Sequence, residues 1–390
     1  MTPSAQVQAA IEILDAVIAA ARDDGPPADA LVQRYFKTRR YAGSKDRRAV
    51  RELVFRAIRR SGERPASGRA AMLGLADEDP GLLFDGSPHG PEARGADEQG
   101  ADAAALPSWL LGHLSPLVGA DEHKALLERA PLDLRVNAAR AERSATLALF
   151  AGAEPTALSP WGVRLPVDTK VDDAAAFLDG TVEVQDEGSQ LIALACGAAG
   201  DMTIVDLCAG AGGKSLALAA AAPHATIIAS DTNRARLSQI APRAARAGAR
   251  IVARLIDPGR EAAMMSDLDG KADVVLVDAP CSGSGTWRRN PEGRWRLTPE
   301  RLERVAQVQA RLLDLAVPLV RPGGTLVYAT CSILAREGRD QARDFLGRHS
   351  SWRVQDVGLD GGRPDGDGRL LTPGHDQTDG FFVARFKAPC

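Results

Sequence analysis

Two cysteines stand in settings that suit nucleophilic chemistry. Cys281 lies in the segment Asp-Ala-Pro-Cys-Ser at 278–282, and Cys331 lies in Ala-Thr-Cys-Ser at 329–332. Each cysteine follows a run typical of a β-strand and is flanked by turn-forming residues, so both thiols are expected at the carboxyl ends of neighbouring strands. A thiolate is a strong nucleophile that can add to an electron-poor ring carbon. We therefore predict that these two cysteines do chemistry.

The other cysteines do not suggest a site of their own. They are scattered and lack the paired spacing of a disulfide framework or a zinc site. We interpret them as reduced thiols that behave as small hydrophobic residues, at positions 196, 208 and 390. No metal site is predicted.

A glycine-rich turn follows the first strand of a regular pattern. Residues 206–215 read Asp-Leu-Cys-Ala-Gly-Ala-Gly-Gly-Lys-Ser, which places small residues where a backbone must turn sharply and approach a ligand. The glycines are wrongly spaced for a dinucleotide fingerprint. A Walker loop would need glycine in place of Cys208, although residues 213–215 match its end. The turn therefore predicts a nucleotide-like ligand, with a phosphate-binding loop as the alternative.

Acidic residues follow the next strands of this pattern. The second strand ends at Asp231, at about the distance where an acid accepts hydrogen bonds from both ribose hydroxyls of an adenosine. The third strand ends at Asp257 and the fourth at Asp278. Three such acids place acceptors along one crevice, where open α/β sheets bind ligands. The alternative for each acid, above all for Asp257, is an ordinary strand-end or turn residue.

Alternating strands and helices must position these residues. An Ala-rich helix follows the glycine-rich turn, and another helix is predicted at 299–317. The predicted strands lie at 203–207, 225–230, 251–256, 273–278 and 325–330. This alternation predicts an α/β fold with a doubly wound, mostly parallel sheet that is covered by helices on both faces.

The composition divides the chain into four predicted segments. Residues 1–75 form a helical N-terminal unit, and 76–106, rich in Gly, Pro and acidic residues, form a linker or surface loop. Residues 107–180 form a small α+β module, and 181–390 hold the α/β pattern. Within the first segment, residues 34–64 are densely basic although the whole chain has a net charge of -3, so this stretch is predicted to face phosphates.

Composition also limits the class of protein and its location. With 390 residues, of which 45% are hydrophobic, the chain can build sizeable cores. No run of eighteen apolar residues occurs, and Glu12 and Asp15 interrupt the N-terminal stretch where a secretory signal would be apolar. We expect a globular cytoplasmic protein with no membrane association.

Four motifs together resemble those of one enzyme family. DLCAGAGGK at 206–214, VDAPCSGSGTWRRNPE at 277–292, YATCS at 328–332 and DGFFVARFK at 379–387 look like the Fmu/Sun family of RNA cytosine-C5 methyltransferases and occur in that family's order. The likeness covers roughly residues 134–386. It implies a Rossmann-like domain that uses S-adenosylmethionine and acts on RNA, with small-subunit rRNA favoured and tRNA as the alternative. A non-catalytic RNA-binding assembly factor and a small-molecule methyltransferase are the alternatives from other classes.

The resemblance implies a role for each catalytic position. Cys331 would add to ring carbon 6 of a cytosine, because carbon 5 is too weak a nucleophile to take a methyl group until a thiolate has added. Asp278 would hold the polar edge of the ring and help to protonate ring nitrogen 3. Cys281 would assist removal of the carbon-5 proton and release of Cys331, and Pro280 would shape the pocket.

The resemblance also implies binding residues. Those expected to bind S-adenosylmethionine are Cys208, Ala209, Gly210, Ala211, Gly212, Gly213, Lys214, Asp231, Arg236, Asp257 and Asp278. Because a cytosine inside a duplex cannot reach such a pocket, the target must lie in a loop or be flipped out of its stack. The expected phosphate contacts are Arg288, Arg289 and Arg294, with Trp287 and Trp295 stacking on bases, and a solvated charged loop is the alternative.

Overall fold

The structure is a computed structural model that describes residues 1–23 and 25–390. The chain divides into two compact units. The helical unit comprises Met1–Leu114, His123–Glu128 and Thr286–Pro299, and the sheet unit comprises Ser115–Glu122, Arg129–Gly285 and Glu300–Cys390.

The helical unit is built around a long N-terminal helix. Its helices are α1 (Pro3–Arg22), α2 (Ala28–Lys37), α3 (Ser44–Arg60) and α4 (Gly68–Ala76), with 3-10 turns at Ser108–His113 and Pro291–Arg296. Side-chain caps help to fix two of the helix starts: Thr2 accepts from the backbone N–H of Ala5, and Ser67 accepts from that of Ala70. Apolar residues at three- and four-residue spacing on α1, α3 and α4 form one buried cluster. The helical character predicted for residues 1–75 is confirmed by α1 to α4.

One helix of the described residues, α1, has the length and apolar composition to cross a membrane. Of its most apolar 18-residue window, 56% is buried inside the structure. That burial is typical of the core helix of a soluble protein, so composition alone does not make α1 a membrane span.

Residues 291–296 close three helix ends of the helical unit. The Glu292 carboxylate accepts from the first N–H of α2, at Ala28 (2.9 Å). Arg294 donates to the carbonyls of Ile58 and Ser61 at the end of α3 (2.5 and 3.0 Å). Arg296 donates to the carbonyl of Ala20 in the last turn of α1 (3.3 Å). Backbone groups that helices leave unpaired at their ends are thus satisfied by charges of the matching sign.

This arrangement corrects the prediction for Arg294. The side chain is fully buried, and burial lowers the pKa of its guanidinium to about 9. Trp287 and Trp295 are also buried, the latter donating to the carbonyl of Ser61 (2.8 Å). A residue enclosed in this way cannot meet a phosphate or stack on a base, so the predictions that Arg294, Trp287 and Trp295 touch RNA are wrong.

The compact units differ from the predicted segments. Residues 76–106 were expected to be a linker or surface loop. They contain no helix or strand after Ala76 and are mostly exposed, which is consistent with a surface loop, but they belong to the helical unit and do not form a separate segment. Ala101 donates to the carbonyl of Ala70 (2.8 Å), and Arg69 pairs with Glu98 (2.5 Å). The predicted module at 107–180 is likewise divided, because only its part from Arg129 onward lies continuously in the sheet unit.

A small antiparallel sheet begins the sheet unit. Its strands are β1 (Leu132–Val136), β2 (Glu154–Pro155), β3 (Gly162–Leu165) and β4 (Val182–Val184), in the order β2-β3-β1-β4. The short helices α5 (Ala120–Ala125), α6 (Arg143–Leu147) and α7 (Ala175–Leu178) accompany these strands in the chain.

A nine-stranded sheet forms the body of the sheet unit. Its strands are β5 (Thr203–Asp206), β6 (Thr226–Asp231), β7 (Ile251–Leu255), β8 (Ala272–Asp278), β9 (Val320–Thr330), β10 (Arg353–Gln355), β11 (Arg363–Asp365), β12 (Gly368–Leu371) and β13 (Phe381–Lys387). The order is β11-β12-β13-β9-β8-β5-β6-β7, with β10 paired to β13. Strands β7, β6, β5, β8 and β9 are parallel, and β13 joins β9 antiparallel.

The helices of this part of the chain are α8 (Glu187–Ala195), α9 (Gly213–Ala221), α10 (Arg234–Leu237), α11 (Ile240–Ala247), α12 (Glu261–Met265), α13 (Pro299–Ala316), α14 (Arg339–Arg348) and α15 (Pro373–Asp376). Those from α9 to α13 connect the parallel strands. Further 3-10 turns lie at Ser266–Leu268, Ser284–Thr286, Val317–Leu319 and Ala335–Glu337. The chain leaves β5 toward β6 on one side and returns to β8 on the other, and such a switch point opens a crevice at the carboxyl ends of the strands. The predicted doubly wound α/β fold is confirmed.

Candidate active site

The two predicted catalytic cysteines meet at the carboxyl ends of β8 and β9. Because these strands are parallel neighbours, the turns that follow them lie side by side. The Sγ atoms of Cys281 and Cys331 are 3.2 Å apart, and both thiols are free. The arrangement can present two sulfur atoms to a single ligand atom.

The backbone holds these turns together through a glycine contact. Gly285 donates to the carbonyl of Cys331 (3.0 Å), and Gly380 donates to the carbonyl of Gly285 (2.8 Å). A Cβ on Gly285 would lie 2.0 Å from the Gly380 carbonyl oxygen, so only glycine fits. The C-terminal motif thus supports the Cys281 loop directly.

The surroundings of Cys281 keep it protonated. A hydrogen bond with Cys331 and burial raise the pKa of the Cys281 thiol well above its usual value, and the charges of Cys331 and Glu337 raise it further. At neutral pH this group is therefore a thiol that can donate to the sulfur of Cys331.

Asp278 is paired with a buried lysine. The Nζ of Lys214 lies 2.7 Å from a carboxylate oxygen of Asp278. Burial lowers the pKa of Lys214, but the charge of Asp278 and its hydrogen bond outweigh burial and leave that pKa raised. The pair places the Asp278 carboxylate in the same cavity lining as the cysteines.

The glycine-rich turn is held from two sides. Gly210 and Gly212 take left-handed backbone conformations, with φ of +54° and +82°, which glycine adopts at least cost. The Asp231 carboxylate accepts from the backbone N–H of Gly210 and of Asn233 (both 2.7 Å). Since a carboxylate offers about four acceptor sites, Asp231 can still accept from a ligand.

Another acid, Asp206, lies under the turn. Its carboxyl group accepts from Ser215 (2.6 Å), and burial raises the pKa of Asp206 to about 7. The turn therefore rests on a group that titrates near neutral pH.

A cavity of about 480 Å³ opens at this end of the sheet. It is lined by Leu207, Cys208, Asp231, Thr232, Asn233, Arg236, Ile256, Glu261, Asp278, Ala279, Pro280, Cys281, Val308, Arg311, Leu312, Leu315 and Cys331. Acceptors at one end, apolar side chains along the wall and thiols at the other end fit an adenosine-containing methyl donor.

The cavity includes many predicted site residues but not all of them. Cys208, Asp231, Arg236 and Asp278 line it together with the residues at 280, 281 and 331. Residues 209–212 form the adjoining turn and residues 213 and 214 begin α9, and none of them is part of the lining.

Asp257 departs from its prediction. Its side chain is exposed, lies 3.9 Å from Arg260 and does not line the cavity. Strand β7 ends at Leu255, so Ile256 faces the cavity instead. The structure does not support Asp257 as a cofactor ligand.

Sequence reasoning missed the wall that α13 supplies. Val308, Arg311, Leu312 and Leu315 line the cavity, and Arg311 pairs with Glu261 (2.9 Å). The apolar periodicity of α13 predicted its helical state but could not show that part of its apolar face meets a ligand cavity rather than the core.

The remaining predicted RNA contacts fall on the loop after Cys281. Pro280 is exposed at the cavity, and Gln309 donates to its carbonyl (3.0 Å). Arg289 is half-buried, whereas Arg288 is only 8% exposed. Of the three predicted arginines, Arg289 has the most accessible side chain.

Similarity to known proteins agrees with this site. Residues 193–387 match the family described as 16S rRNA methyltransferase RsmB/F. The ribosomal RNA small subunit methyltransferases B of Salmonella enteritidis PT4 (strain P125109) and Salmonella gallinarum (strain 287/91 / NCTC 13346) are each 36% identical over 293 residues, which is 73% of this chain and 67% of the relative.

Solved structures share the fold. PH0851 has a TM-score of 0.74 at 22% identity and covers 99% of both chains. NSun6 from Pyrococcus horikoshii with SFG has a TM-score of 0.59 at 19% identity and covers 68% of this chain and 93% of its own. The motifs, the fold and these relatives lead to one conclusion: the chain belongs to the RsmB/F family of 16S rRNA methyltransferases and is an S-adenosylmethionine-dependent RNA methyltransferase.

Proposed function

We propose that this chain methylates carbon 5 of a cytosine in small-subunit rRNA, with Cys331 as the nucleophile. The observation that carries the proposal is the pair of thiols 3.2 Å apart beside Asp278 at the cavity. A methyltransferase that acts on a nitrogen or a hydroxyl needs no thiol nucleophile, whereas carbon 5 of cytosine needs one. Small-subunit rRNA is proposed as the substrate because the relatives named above are ribosomal RNA small subunit methyltransferases.

Cys331 acts first in this mechanism. Its thiolate adds to ring carbon 6, and the electrons of the carbon 5–carbon 6 double bond become available at carbon 5. The Cys281 thiol lies 3.2 Å from the sulfur of Cys331 and can donate to it.

Asp278 holds the ring while the adduct forms. Paired with Lys214, its carboxylate can accept from the protonated ring nitrogen 3 and from the exocyclic amino group. It thereby favours the protonated form of nitrogen 3, whose positive charge makes carbon 6 more electrophilic and is neutralised as the thiolate adds.

Cys281 acts in the release step. Much of what raises the pKa of Cys281 comes from Cys331, and that contribution ends once Cys331 is bonded to carbon 6. Cys281 can then give up its own proton to water more easily, and the resulting thiolate takes the proton of carbon 5. The electrons of that carbon–hydrogen bond re-form the ring double bond, and the sulfur–carbon bond breaks to return Cys331 as a thiolate.

S-adenosylmethionine supplies the methyl group from its sulfonium centre. Asp231 is the residue that would accept from its ribose hydroxyls, and backbone N–H groups of the adjoining glycine-rich turn would contact the rest of the cofactor. Arg236 lines the same cavity and would lie beside the cofactor.

Asp231→Ala is expected to weaken S-adenosylmethionine binding by about 1–3 kcal/mol, because two ribose hydroxyls lose their acceptor. Calorimetry measures the effect. Asp257→Ala is the matched control, since this acid lies outside the cavity lining, and its affinity should match the parent. Equal affinities for the parent and Asp231→Ala would exclude the ribose role.

RNA contacts are proposed for exposed cations. Arg34, Arg40, Arg47 and Arg48 lie exposed on α2, α3 and the turn between them, and Arg289 extends the set. Such groups would bind phosphates without reading sequence, while the target base leaves its stack to enter the cavity. Since an rRNA methyltransferase meets its substrate where ribosomes assemble, we place the protein in the cytoplasm.

Methyl transfer to purified RNAs tests the proposal. The protein is incubated with methyl-labelled S-adenosylmethionine and either small-subunit rRNA or bulk tRNA, and the RNA is digested to nucleosides. We expect label in 5-methylcytidine from rRNA. Label in tRNA alone would mean that the substrate is tRNA and not rRNA. Label that appears only in a nucleoside other than 5-methylcytidine would exclude methylation at carbon 5 of cytosine.

A further inference from the structure

A buried glutamate lies behind the two cysteines. Glu337 ends the 3-10 turn Ala335–Glu337, six residues after Cys331, and is 0% exposed. It does not line the cavity. Its position in the sequence carries no motif that would have singled it out.

Both carboxylate oxygens of Glu337 are fully engaged. Oε1 accepts from the backbone N–H of Ser282 (2.8 Å) and from the amide of Gln309 (3.0 Å). Oε2 accepts from the hydroxyls of Ser332 (2.6 Å) and Ser282. The four bonds use about the full acceptor capacity of a carboxylate.

These partners are the neighbours of the two thiols. Ser282 follows Cys281 directly, and Ser332 follows Cys331. One carboxylate therefore ties the turn after β8 to the turn after β9.

The tie extends to both sides of Cys281. Gln309 also donates to the carbonyl of Pro280, the residue before the cysteine (3.0 Å). The hydroxyls of Ser284 and Ser332 lie 2.9 Å apart, and Ser284 accepts from the N–H of Ile333 (3.0 Å). The backbone on each side of Cys281 is thus fixed relative to the backbone after Cys331.

The location is a costly one for a carboxylate. All four donors are neutral, so the burial of a negative charge is offset by hydrogen bonds alone. A buried carboxylate without a positively charged partner is unfavourable for stability, and such unfavourable residues are expected at functional sites.

We propose that Glu337 is a positioning residue for the reaction: by holding Ser282 and Ser332 it keeps the sulfur atoms of Cys281 and Cys331 within reach of one cytosine ring. This inference rests on the proposed two-thiol mechanism. Addition to carbon 6 needs Cys331 alone, whereas release needs both sulfur atoms correctly placed at the same time, one bonded to carbon 6 and the other near the proton of carbon 5. Loss of Glu337 therefore slows release more than addition.

Glu337→Ala tests the inference through the covalent protein–RNA adduct, measured on denaturing gels with small-subunit rRNA and S-adenosylmethionine. We expect the adduct to accumulate, with release slowed on the order of 10²-fold, the usual effect of a misplacement near 1 Å. Glu337→Gln should release faster than Glu337→Ala. The glutamine side chain fills the same volume as glutamate. Its amide oxygen can accept from Ser282 and Gln309, and its amide NH2 can donate to the serine hydroxyls.

Glu122→Ala is the matched control. Glu122 is also a buried carboxylate with several partners, accepting from Thr372 (2.6 Å) and Gly374 (2.8 Å), but none of them adjoins a catalytic cysteine. It should lower stability without trapping RNA. Equal losses of addition and release in Glu337→Ala, matched by Glu122→Ala, would reduce Glu337 to a structural residue and overturn the inference.

Two further variants keep the test decisive. If Glu337→Ala does not fold, Ser332→Ala cuts one of the same ties and should also accumulate the adduct; prompt release by that variant would overturn the inference. Cys281→Ala reports on the mechanism itself. An adduct in Cys281→Ala but not in Glu337→Ala would reject the positioning role alone, whereas no adduct in Cys281→Ala would reject the two-thiol mechanism.

Discussion

Cys331→Ser is expected to abolish methyl transfer to RNA, with a loss of at least about 10³-fold, while cofactor binding stays at the parent level. A serine hydroxyl is of nearly the same size, but it is not ionised at neutral pH and cannot replace a thiolate in addition to carbon 6. Cys331 borders the cavity opposite Asp231, so its oxygen analogue leaves the expected ribose contact intact.

The measurement combines labelled methyl transfer with calorimetry of S-adenosylmethionine binding. Cys390→Ser is the matched control, because this cysteine is exposed near the end of the chain and its replacement should leave both quantities unchanged. Turnover by Cys331→Ser within a few-fold of the parent would reject the nucleophile assignment. A joint loss of turnover and cofactor binding would instead point to a disturbed fold.

Much of the parallel sheet could be predicted because both of its faces are covered. Strands buried on both faces read as continuous apolar runs, and β8 (Ala272–Asp278) and the second half of β9 (Val320–Thr330) are such runs. Parallel strands also place their carboxyl ends at one edge. The meeting of Cys281 and Cys331 could therefore be expected before any distance was known.

The errors arise where distant partners decide the role of a residue. Arg294 lies in a sequence dense in charge, which favours a solvated or RNA-facing loop, yet its partners Ile58 and Ser61 are more than 230 positions away. No local pattern shows that an arginine will close a helix end. The same holds for Glu337, whose function depends on two serines that only the sheet brings together.

Asp257 shows the limit of reasoning from strand ends. A shift of one or two residues in where a strand ends decides whether an acid or its neighbour meets the crevice. Here β7 ends early enough that Ile256 faces the cavity, while Asp257 turns to solvent. Asp231 lines the cavity because its strand extends to the acid itself, which accepts a hydrogen bond from the N–H of Gly210.

Cys281→Ala is expected to form a covalent adduct with RNA that survives denaturation. In this variant Cys331 keeps its thiol and can still add to carbon 6. The base and hydrogen-bond donor 3.2 Å from its sulfur are gone, so release stalls. Purification under denaturing conditions from cells that express the variant, followed by sequencing of the attached RNA, detects the adduct and identifies the substrate at once.

The double variant Cys281→Ala/Cys331→Ala provides the control. It lacks both thiols, so it should fold and bind S-adenosylmethionine but retain no RNA after denaturation. RNA that stays attached to the double variant would mean that another residue forms the bond. Cys281→Ala that folds and binds the cofactor but carries no attached RNA would mean that Cys331 does not perform addition while Cys281 performs release. The short distance between the two sulfurs would then need a different chemical explanation.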